Sequence, residues 1–308
     1  MIAFVFPGQG AQYSGMGKDL CLNFSSARDA FDEASEAVKI DMKKLCFEGS
    51  EADLKLTENT QPAILTTSIA GLRALRAETG ASAGLMAGHS LGEITALVAS
   101  GAIRFADGVR LVKARGRFMQ EAVEPGRGAM AALLGIGREA AAEAVKSVNS
   151  GIVEVANVNS EEQIVIAGEK EAVEKAAAAA KEKGARRAVM LDVSAPFHCS
   201  LMKPAAEKFR ASLAGVAISD LKVPVVTNLE GIPNSSGARV PELLEKQIFS
   251  PVLWLDIMKY MKEAGVSRYV EIGPGKVLSG LLKRSDRDAE VLNIEDTSGI
   301  SSYQKISG

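Results

Sequence analysis

The chain is poor in the residues that disulfides and metal centres draw on: of 308 residues, three are cysteine and two are histidine. Cys21, Cys46 and Cys199 are odd in number and far apart, which argues against a disulfide framework or a zinc site and fits a reducing cytoplasm. No apolar stretch approaches the ~20 residues of a membrane span. The opening MIAFVFPGQG has no basic segment ahead of its short apolar run, so it is expected to be a first strand, not a secretion signal. Charge of neither sign dominates, the formal net charge being -2, and nothing global points to nucleic acid. What remains is ordinary globular material, 47% hydrophobic and 24% charged, in a chain long enough for one large domain with an insertion.

Stretches of β character alternate with helical ones for most of the length, the pattern of an α/β protein with a largely parallel sheet. Ile2–Phe6 reads as a fully apolar strand running into Pro7-Gly8-Gln9-Gly10. Helices are expected over 26–39 and 60–79, the second opened by Gln61-Pro62 and closed by Gly80. Leu85–Gly88 is then a short strand, and a helix resumes at Glu93. From about Gly128 the order becomes strand 129–136, helix 138–147, strands 152–158 and 163–167, helix 169–183 and strand 186–193. That βαββαβ order is ferredoxin-like. It places a subdomain at 127–194 inside a discontinuous larger domain of 1–126 and 195–308, which resumes with a helix after His198, strands 223–227 and 269–272, and a final helix after Gly273-Pro274-Gly275.

Gly88-His89-Ser90-Leu91-Gly92 matches G-x-S-x-G between an expected strand and an expected helix, the setting of a nucleophile elbow. The glycines permit a tight turn that lifts the serine hydroxyl clear of the sheet, and the amides of the following helix, Leu91 first, lie near the reacting carbon. A nucleophilic serine needs a base. His89 adjoins Ser90 and should leave the turn in another direction, so His198, in a loop after a strand, is the remaining candidate. The Phe6-to-Gly10 turn could supply a second oxyanion donor beside the Leu91 amide. It is not a dinucleotide turn, lacking the third glycine, and Gly273-Pro274-Gly275-Lys276-Val277 is not a P-loop, having no Ser or Thr after the lysine. Arg115 lies in a partly apolar helix after the elbow and could pair bidentately with a carboxylate, though nothing internal separates it from Arg117.

FPGQGAQ, TENTQPAIL, GHSLGE, RGRFMQEA, FHCSLMKPA and EIGPGKVL, in that order, closely resemble the malonyl-CoA:acyl-carrier-protein transacylases of bacterial fatty acid synthesis, from the first strand to about Lys283. The resemblance implies a large hydrolase-like α/β domain with a mostly parallel sheet and an inserted ferredoxin-like subdomain. It implies an acyl-enzyme on Ser90, His198 as base and the backbone carbonyl of Gln247 orienting that histidine. The amides of Gln9 and Leu91 would form the oxyanion hole, and Arg115 would grip the malonyl carboxylate. Gln61 and Asn159 would line the site, and Phe197 before His198 fits a malonyl-selective pattern. The reaction implied is ping-pong, with malonyl-CoA as donor and the phosphopantetheine thiol of acyl carrier protein as acceptor, and with no metal or redox cofactor. A cytoplasmic monomer is expected, with neither nucleic acid nor membrane as partner.

Two other functions use the same residues. A thioesterase or esterase would need Ser90, His198 and the oxyanion donors but no carboxylate clamp; a silent carrier-protein-binding scaffold would not acylate Ser90. Lys181, Lys183, Arg186 and Arg187 form a basic cluster on the subdomain that could face an acidic carrier protein.

Overall fold

The computed structural model describes residues 1–307. Its strands are Ile2–Phe6 (β1), Leu85–Gly88 (β2), Gly128–Leu134 (β3), Val153–Ser160 (β4), Gln163–Glu169 (β5), Arg187–Met190 (β6), Val225–Val226 (β7), Pro233–Asn234 (β8), Arg268–Ile272 (β9) and Glu290–Ile294 (β10). They divide into two sheets. The larger runs β10-β9-β1-β2-β7-β8 and is parallel except for its β7–β8 edge. The smaller runs β4-β5-β3-β6 with every neighbour antiparallel. The chain is therefore α/β, with a mostly parallel sheet and a separate antiparallel one of βαββαβ connectivity.

Ala3, Phe4, Val5 and Phe6 are wholly buried, as a strand covered on both faces of a parallel sheet must be. From β1 the winding runs to one side through β2 and β7, then returns to the other through β9 and β10. Crevices form beyond the carboxyl ends of strands at such a reversal. The register fixes what stands there: Phe6 pairs with Gly88 and Ala87 with Val226, so the loops that carry Gln9, Ser90 and Asn228 leave the sheet side by side.

The antiparallel sheet closes over that edge. Its helices Arg138–Lys146 and Lys170–Glu182 bury alanines, among them Ala141, Ala144, Ala176 and Ala180, which lets them sit close to the strands. Strand β4 bonds directly to the larger part of the chain: Val252 N donates to Ala156 O at 2.9 Å and Val158 N to Val252 O at 2.9 Å.

Four expectations need correction. The long helix is Thr57–Thr79, so Pro62 lies inside it. Gln120 Oε1 accepts from Thr57 N at 2.9 Å, while Asn59 N and Thr60 N both donate to Leu56 O, which lets the first turn form ahead of the proline. The strand expected over 186–193 is only Arg187–Met190, and that over 223–227 only Val225–Val226. The helix after Gly275, Val277–Ser285, is not the last; β10 and helix Thr297–Ser307 follow it. Among the described residues no helix is long and apolar enough to cross a membrane.

Candidate active site

Ser90 stands between β2 and helix Leu91–Ala99 with φ 51° and ψ -104°. Such a backbone costs a non-glycine residue about 1–3 kcal/mol and persists only where the surroundings impose it. Here they do. A Cβ at Gly92 would lie 2.1 Å from Phe6 O, and one at Gly88 would lie 2.0 Å from the carbonyl of Gly92, so neither position tolerates a side chain. Asn228 then clamps the turn, its Oδ1 accepting from Ser90 N at 2.6 Å and its Nδ2 donating to Gly88 O at 2.7 Å.

His198, also at positive φ (61°), brings Nε2 to 2.7 Å from Ser90 Oγ. Its Nδ1 lies 2.8 Å from the main-chain carbonyl of Gln247. A carbonyl only accepts, so Nδ1 carries the hydrogen and Nε2 is left as the acceptor for the serine hydroxyl. Burial, and after it the charge of Arg115, push the imidazole down to about 3, so it is neutral at neutral pH, with Nε2 unprotonated.

Arg115 is 1% exposed. It donates to Gln61 Oε1 at 2.9 Å, to Gln247 Oε1 at 2.8 Å and to Ser90 Oγ at 3.1 Å, while its buried Nε has no partner among the described residues. Burial lowers the guanidinium to about 10 against the opposing charge of Glu93, which still leaves it a cation. Arg117, two residues on, is exposed and lies 5.2 Å over the Phe118 ring.

A cavity of about 530 Å³ joins these groups, lined by Ser90, His198, Arg115, Gln61, Gln9, Leu91 and Phe197, with Met119, Met130 and Leu191 as further apolar wall. The Gln9 and Leu91 amides donate to no other group of the chain among the described residues. Asn159 is placed differently: it is absent from the cavity wall and accepts from His89 Nε2 at 2.9 Å, whereas Asn157 lines the cavity. His89 thus points away from Ser90. Two residues with no place in the sequence reading complete the setting, Asn228 and the buried Glu93, which accepts from Gln247 Nε2 at 2.7 Å and from Asn228 N at 3.0 Å. Asn228 follows a strand end, where site residues gather, and Glu93 is a charged residue in an otherwise apolar first helical turn. Those were the available signals. No group of three or more His, Cys, Asp or Glu among the described residues is placed to hold a metal ion.

The model of the acyl transferase domain family matches residues 3–305. The chain belongs to that family. It is 46% identical over 297 residues to the malonyl CoA-acyl carrier protein transacylase of Bacillus subtilis, covering 96% of this chain and 93% of that protein. It is 47% identical over 283 residues to the protein of the same name in Escherichia coli, covering 92% of each. The solved malonyl CoA-acyl carrier protein transacylase of Clostridium perfringens superposes with a TM-score of 0.95 at 46% identity, covering 99% of this chain and 96% of that one. A type II PKS acyl-carrier protein in complex with its malonyl-transacylase gives a TM-score of 0.96 at 42% identity, with 99% of each chain covered.

Proposed function

We propose that the chain is a malonyl-CoA:acyl-carrier-protein S-malonyltransferase that works through a malonyl-serine intermediate and supplies malonyl units for fatty acid synthesis. One observation carries the choice of acyl group. The Arg115 guanidinium, buried and with one donor unpaired, stands 3.1 Å from the hydroxyl that would become the ester. A malonyl group on Ser90 ends in a carboxylate within reach of it; an acetyl or plain acyl chain would leave a buried cation facing carbon.

In the first half-reaction His198 Nε2 takes the Ser90 proton as Oγ bonds to the thioester carbon. The Gln9 and Leu91 amides receive the oxyanion. On collapse the carbon–sulfur bond breaks, and the sulfur takes the proton from His198 and leaves as coenzyme A thiol. In the second, the phosphopantetheine thiol of carrier protein gives its proton to His198 and attacks the ester, and Ser90 recovers that proton as it leaves. Both halves balance by proton transfer and bond exchange, so no redox cofactor or metal has a step to perform. The three buried free cysteines fit a reducing cytoplasm.

The test is intact mass. Incubated with malonyl-CoA, the protein should gain a malonyl adduct that Ser90→Ala abolishes and that added phosphopantetheinylated carrier protein removes. Coenzyme A released with no adduct and no transfer would make it a hydrolase; no reaction at all would make it a scaffold.

A further inference from the structure

Behind the serine stands a carboxylate that the mechanism above does not use. Glu93, in the first turn of helix Leu91–Ala99, is 2% exposed, and its hydrogen-bond partners are amides, not cations. A buried carboxylate is costly to keep. Burial pushes Glu93 up to about 7, with the Gln247 and Asn228 hydrogen bonds and the charge of Arg115 opposing.

Its partners are the residues that hold Ser90 at both ends. Asn228 bonds Ser90 N, and Gln247 Nε2 donates to Ser90 O at 3.0 Å. The other end of the Gln247 amide accepts from Arg115, and the Gln247 main-chain carbonyl accepts from His198. A side-chain amide carries a donor and an acceptor on one plane and can be turned over. Turned over here, its NH2 would face the Arg115 donors while its oxygen met the carbonyl of Ser90. The Glu93 oxygen that meets Gln247 Nε2 accepts, so Glu93 joins Arg115, which only donates, and the Ser90 carbonyl, which only accepts, in setting which end of Gln247 faces which neighbour.

We propose that Glu93 is a positioning residue for malonyl transfer, acting through the Gln247 amide to hold Arg115 and His198 about Ser90. This rests on the transferase reading above.

Two variants separate reach from charge. Glu93→Asp keeps the charge but withdraws the carboxylate by one methylene, out of contact with Gln247; Glu93→Gln keeps an acceptor at full reach without the charge. With only two histidines in the chain, ¹⁵N imidazole spectra report His198 against His89 as an internal reference. Glu93→Asp should slow malonyl-Ser90 formation by roughly 100-fold, the cost of misplacing a reacting group by about an ångström. It should also shift the His198 Nδ1–H signal while leaving His89 in place. Glu93→Gln should keep the His198 signal at its wild-type position and restore most of the rate. Any result in which Glu93→Gln is not faster than Glu93→Asp overturns the proposal, as does an unmoved His198 signal in Glu93→Asp. If wild-type protein forms no malonyl adduct, the transferase reading fails, and the two spectra still decide the positioning role.

Discussion

Replacing Arg115 with alanine removes a guanidinium that donates to Gln61, Gln247 and Ser90. The contact with Ser90 Oγ exists before either acyl donor arrives, so it cancels when two donors are compared on one variant. What does not cancel is the proposed pairing with the malonyl carboxylate. Deleting one partner of a desolvated charge pair costs about 2–5 kcal/mol, and at about 1.4 kcal/mol per tenfold that is roughly a 30- to 4,000-fold loss. Arg115→Ala should therefore lower the ratio of malonyl to acetyl acylation of Ser90 by that factor. The assay is the rate of mass gain after mixing with malonyl-CoA or with acetyl-CoA at matched concentration, and thermal melting should show the variant folded. If both rates fall together and the ratio stays put, Arg115 serves the nucleophile alone and the carboxylate-clamp reasoning is refuted.

Ser90→Gly and Ser90→Ala should both lose the adduct, but the glycine variant should be the more stable by about 1 kcal/mol or more, because it relieves the backbone at φ 51°; equal melting temperatures would show that the turn is not strained. His198 has its pKa depressed, so its contribution to stability is complete above the ordinary 6.5 and is lost as pH falls through about 3. In the Glu93→Gln variant, where residue 93 does not titrate, acylation should accordingly run at nearly its neutral rate at about pH 5.5, and an acid limb near 6.5 there would contradict the burial of the imidazole. On the subdomain, Lys183 is already paired with Glu143 at 3.0 Å and Arg186 with Glu162, so reversing Lys181 and Arg187 is the sharper test of a carrier-protein contact. It should raise KM for carrier protein and leave KM for malonyl-CoA alone; unchanged constants for both would dismiss the cluster.

The sheet and its insertion were legible because their signals are local. Ile2–Phe6 and Leu85–Gly88 are short apolar runs with glycine turns at their ends, and the βαββαβ order follows from alternating periodicities. Edge elements were not, since β8 has two residues and helix Thr297–Ser307 is largely polar and serine-rich. Within the site, Ser90 announces itself by its glycines and His198 by scarcity. Arg115 could have been separated from Arg117 without any resemblance: Leu111, Val112 and Met119 lie four and three residues before it and four after, a buried stripe that misses Arg117. The side-chain role of Gln247 was beyond reach, because an amide's two ends are told apart only by what faces them. Glu93 and Asn228 meet through a hydrogen bond from the Asn228 backbone amide to the Glu93 carboxylate, 135 residues apart, which leaves no mark in the local sequence.

The two glycines of the elbow are set by clearance between backbones, and nothing in that clearance refers to the hydroxyl between them. Phe6 O and the Gly92 backbone would exclude a side chain at Gly92 and Gly88 whether residue 90 were serine, cysteine or alanine. The motif is therefore a gauge of how closely the first helical turn is pressed onto the neighbouring strand. Relatives that had traded the nucleophile for an inert residue would keep the glycines, and a search for the glycine pair would recover the architecture while remaining blind to activity.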